Sequence, residues 1–214
     1  MTAHTQTPAL TPATTRAPTA EIASLVHMTG PQSYDYIFGS QSKLEKFIAK
    51  AWPMTGTLYS HDATTLVEEI GTIIGIELGY PGKEFYSRRN ASLQASIKAA
   101  EDGSLTEQDL YGIGDRADKA SYLNAWVPED VYYLMALAVP DTQRGRGIGK
   151  HLLASAIDKA RADGFRALHL DVLSDNPAIG LYTAMGLTCL AETIAPEPCR
   201  DHGIPMEMRM GITL

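Results

Sequence analysis

Cysteine is scarce, with only Cys189 and Cys199 in 214 residues. A chain this long can bury a core without a disulfide framework, so a reducing compartment is the expected setting. No uninterrupted apolar run approaches the roughly 18 residues that cross a bilayer. The first residues also lack the apolar core of a secretory signal. The expected location is the cytoplasm, with no membrane partner. Positive charge is short too: 18 Lys and Arg stand against 25 Asp and Glu, for a formal charge of −7. That balance argues against a nucleic-acid partner, which calls for a basic face. It suits a cationic substrate such as an amine, although net charge does not fix the sign of one cleft. No G-x-S-x-G occurs, so an α/β serine hydrolase would lack its nucleophile turn. Cys199-x-x-His202 is a single pair without a second at zinc-finger spacing, better read as a surface loop, and no metal is expected.

What the chain does have is a glycine-rich turn, Gln143-Arg144-Gly145-Arg146-Gly147-Ile148-Gly149-Lys150. It follows a dense apolar run over 131–139 and opens the helical pattern Ile148-x3-Leu152-Leu153-x2-Ala156-Ile157. The first amides of a helix have no intrahelical partner, and the macrodipole leaves that end partly positive. Such a turn presents N–H groups to phosphates. Gly147 and Gly149 carry no Cβ to hold a diphosphate away, and Arg144 and Arg146 can add charge-assisted hydrogen bonds. A Walker A loop fails here twice, with Arg at 144 and His at 151. A dinucleotide fingerprint fails on glycine spacing and on the acidic residue expected about 20 residues later.

The remaining pattern, R-x-x-G-x-G at Arg144, Gly147 and Gly149 after Leu137-Ala138-Val139-Pro140, resembles the acyl-CoA pyrophosphate loop of the GCN5-related N-acetyltransferases (GNAT). A second segment supports the likeness. Asn176-Pro-Ala-Ile-Gly-Leu-Tyr182-x3-Gly186-Leu is similar to that family's N-x-x-A-x-x-L-Y-x-x-x-G-F stretch. It departs with Ala at 178, Gly at 180 and Leu at 187. The resemblance covers 131–193 well, the hairpin at 63–80 loosely, and the tail and insertion not at all. It implies an α/β acyl-CoA N-acyltransferase fold, a central mixed sheet flanked by helices, with a helical insertion between the third and fourth strands. It also implies acetyl-CoA as co-substrate and no metal. The coenzyme would lie on Leu137, Ala138, Val139, Arg144, Gly145, Arg146, Gly147, Ile148, Gly149 and Asn176. A homodimer is the assembly common among such proteins.

The remaining elements follow from periodicity. Residues 1–20 are rich in Thr, Pro and Ala, lack a hydrophobic period, and read as a disordered tail ahead of a transferase domain over 21–214. Ile22-Ala-Ser-Leu-Val-His-Met28 reads as a first strand, stopped by Gly30-Pro31. Helical stretches are expected at 32–38 and 42–52, then a hairpin over 63–80 that turns at Gly71. The 81–129 insertion carries Phe85, Leu93 and Ile97 on one helical face, and Ser104-Leu-Thr-Glu107 resembles a capping box. The insertion is either a place for substrate selection or a dimer contact, or a packed helical pair with no special role. Strands are expected at 131–139, 167–172, 187–193 and 206–212, helices at 147–162 and 176–185, and a loop at 196–204.

Acetyl transfer needs a donor held in place, a polarised carbonyl, a neutral amine and a proton for the departing thiolate. By resemblance, Tyr182 is the candidate general acid; a phenol of pKa about 10 stays protonated at neutral pH. Its other reading is a core tyrosine bonded to backbone. Asn176 either bonds the coenzyme or caps its helix. Glu77 is the candidate base, because an acid in so apolar a strand as Ile73-Ile-Gly-Ile-Glu-Leu-Gly-Tyr80 is unexpected unless paired or functional. Alternation puts it on the face of Gly75 and Gly79. Asp171 is the second candidate. The expected activity is transfer of acetyl to a primary amine by direct attack, on a small-molecule, amino-acid, antibiotic or protein amine. The alternative is a non-catalytic acyl-CoA sensor, which would keep the loop and need neither Tyr182 nor a base.

Overall fold

The strand Val131–Ala138 (β4) is buried along most of its length, and the other elements are arranged about it. The computed structural model describes residues 8–14, 20–123 and 126–214. The remaining strands are Leu10–Pro12 (β1), Thr64–Glu69 (β2), Thr72–Pro81 (β3), Ala167–Leu173 (β5), Thr188–Thr193 (β6) and Glu207–Thr213 (β7). They form one sheet in the order β1-β2-β3-β4-β5-β7-β6. Among the described residues only β4 and β5 pair in parallel. The helical crossover such a pair requires is supplied by Ile148–Ala162 (α6).

Helices Ala20–Met28 (α1), Pro31–Phe38 (α2), Gln41–Ala51 (α3), Phe85–Glu101 (α4) and Glu107–Ala120 (α5) contribute to an apolar core with Leu66, Ile73, Ile76 and Ala138. On the other face, α6 and Ile179–Ala184 (α7) pack on Tyr132, Leu134, Leu168 and Leu170. Arg88 fixes α4 over the sheet. Its guanidinium donates to Glu84 Oε2 (2.9 Å), the Thr57 carbonyl (3.1 Å) and Asp62 Oδ2 (3.3 Å), and lies 5.0 Å from the Tyr80 ring centroid.

The hairpin, the helical pair of the insertion and the strand–helix order from 131 to 193 all occur where the periodicity puts them. Five readings are corrected. The segment 22–28 is a helix, not a strand: Ile22, Ala23, Leu25 and Val26 are buried together, at spacings that share a helical face. In the expected tail, Leu10–Pro12 pairs antiparallel with β2, Leu10 opposite Val67; an edge strand tolerates proline there. The rest of that tail reading falls largely outside the described residues. In α4 the buried face carries Phe85, Ser92, Ala95, Ser96 and Ala99, while Leu93 is 53% exposed. The capping box lies two residues on, between Thr106 and Asp109. The expected loop at 196–204 contains the short helix Pro196–His202 (α8), with Gly203 at its left-handed C-cap.

Candidate active site

The β4–β5 ladder runs only from Val131 opposite Ala167 to Tyr133 opposite His169. Beyond that point β4 continues along β3 as far as Ala138, and β5 continues along β7 as far as Leu173. The two central strands therefore part, and their main-chain groups past Tyr133 and His169 face an opening instead of each other. A bulge sharpens the split. Leu78 stands opposite Ala136 but Gly79 opposite Leu134, so Met135 is the extra residue on β4. This changes the alternation: Tyr132 and Leu134 join the core under α6, whereas Met135 and Ala138 pack on the opposite side.

Beyond the opening comes the glycine turn. Gly145 and Gly147 adopt φ of 78° and 79°, and a Cβ at either would meet nothing within 4 Å. The turn is thus open on its outer side, and Gly147 caps a fifteen-residue helix whose first amides lack intrahelical partners. Gly149 packs inward: a Cβ there would lie 3.4 Å from Leu181 and 3.7 Å from Val139. That contact joins the first turn of α6 to α7 and the end of β4. Both arginines already have partners. Arg144 pairs with Asp141 at 2.7 Å, and Arg146 pairs with Glu69 through two hydrogen bonds of 2.8 and 3.1 Å. An incoming anion must draw them from these carboxylates, so the helix terminus is the uncommitted part of the site. The residues suit a diphosphate: open αL glycines, free amides and two nearby guanidiniums.

On the helical side the opening leads into a cavity of about 490 Å³. Its lining includes Leu137, Asp171 and Tyr182 together with residues of α2, α4 and α5. Tyr182 is buried, and burial alone pushes its phenol up to about 12. Asn176 lies just before α7. Its Oδ1 accepts from the Ala178 N–H at 2.9 Å and its Nδ2 donates to the Thr29 carbonyl at 3.4 Å. It therefore caps the turn into α7 and ties it to the cavity wall that Thr29 helps form.

The structure brings Tyr182, Leu137 and Asp171 to the cavity, but not Glu77. Glu77 lies on the opposite face, where the Tyr132 hydroxyl donates to its Oε1 at 3.1 Å and where a Cβ on Gly79 would come within 2.7 Å of that oxygen. Glu77 does share its face with Gly75 and Gly79, but alternation does not specify on which side of the sheet that face lies. Burial raises the Glu77 carboxyl to about 7, partly offset by Thr65, Tyr132 and the charge of Lys159. The folded protein consequently holds a proton between about pH 4.5 and 7 that the unfolded chain has lost. Its stabilising effect is complete at low pH and disappears as pH rises through 7, a change on the order of 3 kcal/mol. Glu77→Gln is expected to flatten the denaturation midpoint over that window; an unchanged slope would refute the assignment.

Asp171 is committed to an ion pair. Arg209 donates Nε to its Oδ1 and Nη2 to its Oδ2, both at 2.8 Å, and Tyr133 donates its hydroxyl to Oδ2 at 3.0 Å. Arg209 also donates to the carbonyls of Leu123 (2.9 Å) and Trp126, and so holds the chain after α5 against the sheet. Three charged residues of the cavity, Arg89, Asp118 and Glu207, are not among the sequence candidates. Glu207, first in β7, lines the cavity. Burial, and then the charge of Asp171, raises its carboxyl to about 8 against the opposing effects of Arg209 and a backbone hydrogen bond from Leu123. The available signal was Met206-Glu207-Met208-Arg209, two charges at strand spacing among apolar residues.

This arrangement has counterparts among known proteins. A family model described as the acetyltransferase (GNAT) family matches residues 44–187. A solved structure described as an acetyltransferase is similar with a TM-score of 0.68 and 22% identity, covering 96% of this chain and 98% of that one. An N-acetyltransferase from Staphylococcus aureus Mu50 is similar at 0.68 and 19%, covering 95% and 100%. Ard1 from Thermoplasma volcanium gives 0.51 and 14%, covering 98% and 99%. At these identities the structural likeness is one of fold. No curated protein matches the chain.

Proposed function

The chain belongs to the acetyltransferase (GNAT) family, and on that premise we propose that it moves an acetyl group from acetyl-CoA to a primary amine by direct attack, without a metal or an acyl-enzyme. The observation that carries this reading is the end of the β4–β5 ladder at Tyr133 and His169, with Tyr182 in the lining of the cavity beyond. Bound acetyl-CoA supplies the acyl thioester. Residues 144–149 and the N-terminus of α6 hold its diphosphate. The main-chain groups released by the split offer a fixed N–H near Leu137 to polarise the acyl carbonyl. Tyr182 keeps its proton at neutral pH, because burial disfavours the phenolate, and gives it to the departing sulfur.

The test follows acetyl-CoA consumption as free thiol against a panel of primary amines, with coenzyme binding measured by calorimetry. Gly147→Glu forces a side chain into an αL position and sets a carboxylate where the diphosphate would lie. A like-charge cost of about 3 kcal/mol corresponds to roughly 100-fold weaker binding. Binding at the wild-type affinity would remove the loop from the site. Coenzyme binding without thiol release from any amine would favour a sensor.

A further inference from the structure

The cavity also restricts what the acceptor is, if the acetyl-transfer reading stands. Much of its wall is apolar and aromatic, including Tyr34, Phe38, Phe47, Leu110, Ile113 and Met135. Its volume falls within the range of about 300–1,000 Å³ that encloses a small organic molecule. Four charged side chains also line it: Arg89, Asp118, Asp171 and Glu207. Arg89 on α4 pairs with Asp118 on α5, and Asp171 on β5 pairs with Arg209 on β7. Glu207 stands outside both ion pairs, in the field of Asp171 and Arg209 and beside Tyr133. A carboxylate on the acceptor would meet no uncommitted cation among the described lining residues, and a second ammonium would meet no second uncommitted acid. A single ammonium has a place.

We propose that the acceptor is a primary monoamine on an apolar, ring-bearing body without a carboxylate, and that Glu207 receives its ammonium and acts as the general base. Glu207 takes one proton from the ammonium. The neutral amine forms the new N–C bond as the C–S bond breaks, and Tyr182 protonates the departing sulfur. The second nitrogen proton restores the phenol, directly or through water, and Glu207 releases its own proton to solvent. The products are the amide, the free thiol and one proton. The raised carboxyl of Glu207 suits this exchange near neutral pH.

Wild-type protein is assayed with phenethylamine, phenylalanine and spermidine. Phenethylamine is expected to have a kcat/KM at least about 100-fold above either of the others, the scale expected when a buried charge is left unmatched. Leu110→Trp is expected to raise the phenethylamine KM while acetyl-CoA binding stays unchanged. Glu207→Gln should lower kcat/KM by about 10²-fold or more and remove the rise of kcat/KM through about pH 8. Equal use of phenylalanine, or preference for spermidine, would overturn the monoamine class and leave the acetyltransferase reading intact. An unaltered rate and pH profile in Glu207→Gln would overturn the base. Release of thiol with none of the three, despite acetyl-CoA binding, would count against this proposal and, if a wider panel also fails, against the enzyme reading beneath it. The substrate comparison needs no variant, so it stands even if Glu207→Gln folds poorly.

Discussion

Tyr182→Phe is expected to lower kcat by about 10²-fold or more, within the range of positioned acid catalysis, while acetyl-CoA binds as before. The substitution removes one oxygen and leaves the ring packed in the core shared by α6, α7 and the sheet. A structural tyrosine would therefore show a different result: a small change in the denaturation midpoint and little change in rate. Burial alone raises the phenol to about 12, so wild type should show no alkaline loss of rate from Tyr182 below about pH 11. Single-turnover thiol release separates the chemical step from product release. A kcat for Tyr182→Phe within twofold of wild type would remove the residue from the mechanism.

The second large effect concerns stability. Asp171→Ala should destabilise the fold by about 3–5 kcal/mol, the usual cost of leaving a buried charge unpaired. Arg209 is 6% exposed, so water cannot readily replace the lost carboxylate. Tyr133 loses its acceptor as well, and the hold on Leu123 and Trp126 loosens because Arg209 no longer has a fixed counter-charge. The double variant Asp171→Leu with Arg209→Met removes both charges and should recover a large part of the loss. Urea unfolding of wild type, Asp171→Leu, Arg209→Met and the double variant completes the cycle. If the double variant is no more stable than Asp171→Ala, the ion pair is not the source of the cost.

Much of the scaffold was legible because it is written locally. A 3.6-residue stripe, a two-residue alternation and a glycine at a forced φ each act over a few neighbours. Gly147 marks the head of α6, and Asn176 the turn into α7, from local sequence alone. The misreading of 22–28 shows where local pattern becomes ambiguous. A seven-residue apolar run fits both a strand and a helix, and packing against α3 and the sheet decided it. The capping box slipped by two residues because Ser104 and Thr106 both precede an acid three positions on.

The sequence by itself determined the order of elements from the hairpin to α7, the glycine turn at the head of α6 and the place of Tyr182 in α7. Only the tertiary structure decided which acid meets the cavity. Alternation says that Glu77 shares a face with Gly75 and Gly79, and that Glu207 shares one with Arg209. It does not say which face of the sheet lies under α6 and which under α2, α4 and α5. That follows from long-range pairing: β7 inserted between β5 and β6, the ladder ended at Tyr133, and Met135 bulged. Glu77 and Glu207 lie about 130 residues apart in the chain, and each side-chain direction is fixed only when its strand takes its register.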